Sequence, residues 1–213
     1  MAPLLASDAA SPRLTTYTDA GRMELSAETV ANWAAKGGNL MIGELGLGPG
    51  DVVAVDAPAD WMPAVLVLGC WRAGVAVCSP DSPAFDAAAT LLTTDADAHP
   101  DFGGEVLLLS TDPFGRGVAE SGGQLPPGAI DFGPTVRFYG DDYFGQTTPL
   151  PELYPDSGSA SRLLSTGWHD KDTFTTGVLH PLAAGGSAVV VSGLTTTERL
   201  QKIAENENTT ARL

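Results

Sequence analysis

The chain is short of cations. Its 213 residues carry 11 Lys and Arg against 26 Asp and Glu, a net charge of −15, and its only lysines are Lys36, Lys171 and Lys202. Such a surface repels phosphate backbones and anionic membranes, so nucleic acid and membrane are excluded as expected partners. Cysteine is scarce as well: Cys70 and Cys78 flank an apolar stretch, with no CxxC and no histidine at metal-ligand spacing. They read as buried free thiols, which behave as small hydrophobes. With three histidines in the whole chain, no Ser-His-Asp arrangement can be inferred. Long apolar runs are missing too. The longest, Ala64 to Ala73, is interrupted by Arg72 and is too short to span a bilayer. The opening residues MAPLLASDAASPRL have neither the early positive charge nor the apolar core of an export signal. These absences point to a cytoplasmic protein, and the length suits one compact unit over 1–213.

What is present is a pattern of buried strands and helices. Leu14 to Tyr17 and Arg22 to Leu25 flank Thr18-Asp19-Ala20-Gly21, a turn sequence, and predict a hairpin. Ser26 is placed to cap a helix whose apolar stripe runs from Val30 through Trp33, Ala34 and Met41 to Leu45, stopping at Gly46. Val52 to Ala57, apolar except for Asp56, suits a strand buried on both faces; Trp61 to Ala73 suits a buried helix, and Val75 to Cys78 a second such strand. A strand is expected over Glu105 to Ser110, and a short helix passing into a strand within 84–100. A helix from Thr173 to Ala184, a strand over Ala188 to Ser192 and a last helix capped by Thr196 or Thr197 complete the reading. Between them lies an irregular segment rich in Gly, Pro and Asp. Its only strand-like run is Val136 to Tyr139, and aromatics such as Phe114, Phe138, Tyr143 and Phe144 need something to pack against. The fold class expected is α/β, with a largely parallel sheet flanked by helices. Its segments are a first βα block over 14–110, an irregular part over 111–161 and a second βα block over 162–213.

Few residues suggest chemistry. Asp95, Asp97, His99 and Asp101 alternate but lack the glycine and terminal glutamate of a calcium loop, and His169 with Asp170 and Asp172 reads as a solvated loop, so no metal is expected. Gly46-Leu47-Gly48-Pro49-Gly50 precedes a strand instead of following one and reads as a turn, not a nucleotide loop. His180 reads as a packed or partly exposed residue.

Three features share one order and spacing: Leu25-Ser26 leading into a helix, Gly46-Leu47-Gly48-Pro49-Gly50-Asp51 before a strand, and Ala73-Gly74 before Val75 and Pro80. Together they resemble the first third of an acyl-CoA synthetase or peptide-synthetase adenylation domain, members of the adenylate-forming superfamily. Gly177-Val178-Leu179 and the run from Pro181 to Val191 resemble the later helix, Gly-Gly turn and strand of that family. The resemblance implies an ATP-gripping loop, Ser/Thr/Gly-rich and ending in Lys-Gly, between the two blocks. Only Asp156-Ser157-Gly158-Ser159-Ala160-Ser161 stands there, followed by Arg162, with no lysine before Lys171. Counterparts of the family's adenine-binding segment, ribose-holding aspartate and carboxy-terminal lobe are not found before Leu213. Trp168-His169 falls where the family has an aromatic-His pair near its acyl or adenylate pocket, and these two are the candidate ligand-binding residues.

The resulting expectation is a non-catalytic relative of the synthetases' amino-terminal subdomain, with no catalytic residues, no cofactor and no metal. A homodimer or stable protein partner is expected to cover faces that the complete enzymes bury. The alternatives are binding of a small acyl, aromatic or nucleotide-like ligand in a residual pocket, or ligase activity retained with a partner.

Overall fold

The computed structural model describes residues 2–213. In chain order the elements are α1 (Ala2–Asp8), β1 (Pro12–Thr18), β2 (Gly21–Ser26), α2 (Ala27–Gly43), β3 (Val52–Asp56), α3 (Trp61–Ala73), β4 (Ala76–Cys78), β5 (Thr90–Thr93), β6 (Glu105–Leu108), β7 (Ile130–Asp131) and α4 (Phe132–Val136). After them come α5 (Leu150–Leu153), β8 (Arg162–Ser165), α6 (Lys171–Phe174), a π-helical turn (Thr175–Leu179), α7 (His180–Ala183), β9 (Ser187–Val191), α8 (Thr197–Asn206) and β10 (Ala211–Arg212). These residues form two compact units. One takes the residues up to Ala31, Pro58–Trp61 and Thr148–Leu213; the other takes Asn32–Ala57 and Met62–Thr147. The chain leaves the first unit and returns to it twice.

The first unit is built on a five-stranded sheet in the order β10-β8-β9-β1-β2. Every neighbouring pair is parallel except β1 and β2, which form the expected antiparallel hairpin. Alternate residues of the central strands face α8: Leu164, Val189 and Val191 pack with Ile203 and Ala204, and Tyr17 and Leu200 border them. Thr196 caps α8 as expected, its hydroxyl accepting from the Arg199 amide at 3.2 Å.

The second unit holds a wholly parallel sheet in the order β4-β3-β5-β6-β7. Its strands are short and apolar, as burial on both faces requires. Leu91, Leu92 and Leu107 are fully buried, as are Val53 and Ala54. Two helices meet at glycines in this unit: a Cβ added to Gly69 would lie 2.8 Å from the Gly37 carbonyl carbon and from the Gly38 nitrogen.

The α/β class with parallel sheets is as expected, and Trp61–Ala73 is helical over the whole range anticipated. Several elements differ from expectation. The run Val136 to Tyr139 is not a strand: Phe132 and Val136, four apart and both buried, form one face of α4, and the chain then turns. α2 ends at Gly43, while Gly46 takes the left-handed conformation, φ +64°, a few residues later. The helix expected from Thr173 starts at Lys171 and passes through a π-turn, in which the His180 amide reaches back to the Thr175 carbonyl. Pro181 follows directly and has no N–H with which to continue the α ladder. The aromatics of the irregular segment divide. Phe132 is buried, whereas Phe114, Phe138 and Phe144 are 75%, 90% and 93% exposed.

Candidate functional site

The strands β8, β9 and β1 are parallel, so their carboxyl ends lie along one edge of the first unit's sheet, the place where open α/β sheets characteristically hold ligands. The loop leaving β8 carries Gly167, Trp168 and His169. Gly167 sits at φ +97°, and a Cβ there would stand 3.1 Å from the Ala59 Cβ, so this position combines a left-handed turn with a close approach that glycine satisfies. Trp168 packs edge-on against Phe174 with ring centroids 5.0 Å apart and is half-buried. His169 is exposed to solvent. Its side chain is 80% exposed, with Nε2 3.4 Å from the Asp170 carboxylate. Asp170 caps α6, accepting from the Thr173 amide at 2.8 Å and from the Thr173 hydroxyl at 2.6 Å. These bonds, the hydroxyl first, lower its pKa. The two candidate residues are thus adjacent in sequence, with one ring packed and the other in solvent.

Two buried polar groups stand at the same edge. In the sheet register Thr16 and Ser165 both oppose Val190, so their side chains share one face. The Thr16 hydroxyl donates to Asp60 at 2.7 Å. Burial raises the Asp60 pKa, against the opposing effect of that bond and of one from the Trp61 amide. The Ser165 hydroxyl is buried with no hydrogen-bond partner among the described residues, and Gly177 of the π-turn leaves just enough room over it, an added Cβ falling 3.3 Å away.

The Ser/Gly segment 156–161 runs directly into β8, so no helix N-terminus is aimed at it. Ser161 is used in the sheet: its carbonyl accepts from Ser187 at 2.8 Å, and Gly186 packs so closely on it that an added Cβ would stand 2.1 Å from that oxygen. Arg162, the cation that follows the segment, is fully engaged. Its Nε donates to the Glu207 carbonyl at 2.8 Å, Nη1 to Ser187 at 3.2 Å, and Nη2 to Thr15 at 3.1 Å and to the Glu207 carboxylate. Glu207 also accepts from Tyr17 at 2.6 Å and from Arg22 Nε at 2.7 Å, and its side chain is only 6% exposed. Burial alone would raise the pKa of Glu207, but the bonds from Arg22, Tyr17 and Arg162 together outweigh it and bring the value down to about 2. No local pattern announces this cluster, whose members lie up to 190 positions apart.

In the second unit His99 does not join Asp95, Asp97 and Asp101. Its Nε2 is 2.6 Å from Asp56, the one charged residue of β3, while Asp95 caps a short turn by accepting from the Asp97 amide at 3.0 Å. Among the described residues no group of three or more His, Cys, Asp or Glu side chains is placed to hold a metal ion. Cys70 and Cys78 are free and buried, and burial pushes the Cys70 thiol up to about 12. No helix among the described residues is long and apolar enough to cross a membrane.

The two sheets, one wholly and one largely parallel, and their helices define an acyl-CoA synthetase-like fold. An acyl-CoA synthetase from Brucella canis superposes with a TM-score of 0.77 at 18% sequence identity, over 95% of this chain and 44% of that one. The chain therefore spans less than half the length of that enzyme. No protein-family model matches the sequence. A Mycobacterium tuberculosis (strain H37Rv) protein described as "TIGR03089 family protein" is 40% identical over 217 residues, 89% of this chain and 86% of the relative. The chain belongs to the TIGR03089 family.

Proposed function

We propose that this protein is a non-catalytic form of the acyl-CoA synthetase fold, without ATP-dependent ligase activity of its own, that works by offering its surface to a second copy or a partner protein. The observation that carries the first half is Arg162. Adenylation needs cations to neutralise charge as pyrophosphate leaves. The one cation beside the Ser/Gly segment is instead bound to Glu207, Thr15 and Ser187, and Asp156 adds a negative charge to the segment itself. Pyrophosphate release in the presence of MgATP and carboxylic acids should therefore stay at the level of a control without acid.

The second half is supported by Phe138 and Phe144. The backbone between them is fastened to α2, where Lys36 donates to the Tyr139 carbonyl at 2.8 Å and Asn39 to the carbonyls of Gly140 and Asp142 at 3.1 and 2.9 Å. Two large apolar side chains held outward on an anchored segment are the type of residue that anchors an interface. Light scattering across a concentration series should show a mass above that of the monomer, falling toward it in the doubly substituted Phe138→Ser, Phe144→Ser protein. A monomer at every concentration, with no partner recovered in stoichiometric amount from the native source, would refute this half. A small ligand at Trp168 and His169 is the second reading, favoured by the half-buried Trp168 ring at the carboxyl end of β8.

A further inference from the structure

A cleft of about 690 Å³ opens in the second unit between residues 85–89 and 98–104. It is independent of the surfaces considered above. The segments on either side meet at its floor, where the Glu105 amide donates to the Ala89 carbonyl at 3.0 Å; Gly104 fits there because an added Cβ would lie 2.3 Å from that oxygen. Small residues, Ala87 to Ala89 and Gly103, leave the space open. Three rings border it. Phe85 lies 5.1 Å from His99 and 5.5 Å from Phe102, centroid to centroid, and both phenylalanines pack against the buried cluster of Ala54, Cys78, Ala88 and Leu91. The volume falls within the range of small-molecule sites, and the rings supply the apolar body such sites require.

Charge decides what such a site would accept. No Lys or Arg stands between Arg72 and Arg116, a stretch with seven carboxylates. The four cations of this unit are all committed elsewhere: Lys36 to Asp141, Arg116 to Asp112, Arg137 to Glu120, and Arg72 over the Tyr143 ring. Asp86 and Asp101, both lining the cleft, form no ion pair among the described residues. The His99 ring, held by Nε2 at 2.6 Å from Asp56, lines the cleft beside the two phenylalanines. Carboxylates and aromatic faces together suit an ammonium group carried on an apolar body. They reject a nucleotide or an acyl carboxylate.

We infer that this cleft is a binding site for a small organic cation, an arylalkyl amine, with Asp86 and Asp101 facing the ammonium and Phe85 and Phe102 the aryl body. The probe is phenethylammonium, titrated into the full chain while backbone amide shifts are followed by NMR, with 3-phenylpropanoate as the anion of matching shape. Saturable shifts centred on residues 85–104 are expected for the amine alone. Asp101→Asn should weaken the affinity about three- to five-fold, and Phe102→Leu, which keeps apolar packing but removes the ring, about two- to five-fold. Because Asp101 is exposed, its substitution leaves the fold intact. Absence of saturable shifts, equal response to the carboxylate, or amine binding unchanged in both variants would overturn the assignment.

Discussion

Replacing Glu207 by alanine should lower the unfolding free energy by about 3–5 kcal/mol, the usual cost of removing one partner from a buried ion pair. The substitution removes the nearest carboxylate from Arg162, whose side chain is 17% exposed, and the acceptor for Arg22 and Tyr17. Both arginines retain Glu24, which lies 3.7 Å from Arg162, but Arg162 is the more buried of the two and bears most of the cost. The same carboxylate sets an acid limit. Its folded-state pKa of about 2 lies below the ordinary 4.5, so the unfolded chain takes up the proton more readily. The stability it contributes is complete above about pH 4.5 and is lost as pH falls from there toward 2. Chemical denaturation at pH 7 and pH 3 checks both statements: the gap between wild type and Glu207→Ala should be widest at pH 7 and narrow at pH 3. A gap below about 1 kcal/mol at pH 7, the value of a surface pair, would show that the cluster is not the buried fastening described.

Gly69→Ala should cost about 3 kcal/mol by overpacking. The atoms that its Cβ would meet, at 2.8–2.9 Å, are backbone atoms of Gly37 and Gly38, so no rotamer change makes room. Gly37→Ala is the matched control. Its Cβ would meet the Gly69 Cα at 3.4 Å and the Leu66 side chain at 3.6 Å, ordinary contact, while alanine gains about 1 kcal/mol of helix propensity over glycine. The first substitution should lower the thermal midpoint by several degrees and the second should leave it unchanged or raised. Equal effects would contradict the close helix contact.

Elements that declare themselves locally were legible in the sequence. The hairpin before Ser26, the all-apolar helix Trp61–Ala73 and the cap at Thr196 follow from turn residues, periodicity and capping chemistry within a few positions. β8 was missed because Arg162 to Ser165 contains only two apolar residues; what makes it a strand is its place between β9 and β10. The aromatic segment failed for a different reason. Gly38 and Gly43 on α2 provide notches that the rings of Tyr143 and Tyr139 fill, an added Cβ at either glycine meeting those rings at 3.1 and 2.8 Å. Once those two rings are seated, Phe138 and Phe144 are left facing solvent. Nothing in the local pattern distinguishes the four.

The site was legible to a smaller degree. Trp168 and His169 could be picked out only through a family resemblance, and the structure gives them different surroundings. Asp56 did stand out as the single charge in an apolar strand, yet its partner His99 lies 43 positions away and was grouped with the aspartates nearest it in sequence. The Glu207 cluster had no local signal at all. Its four side chains come from β1, β2, β8 and the turn after α8, and only the sheet order brings them together.

We propose that this fold is kept without the adenylation reaction, the cation beside the Ser/Gly segment being held by Glu207. Pyrophosphate release tests it most directly, measured on folded protein with MgATP and a panel of aliphatic and aromatic carboxylic acids, with and without CoA. The account predicts a rate indistinguishable from the control without acid for every member of the panel. Acid-dependent release that rises in proportion to protein concentration and persists through independent purifications would contradict it.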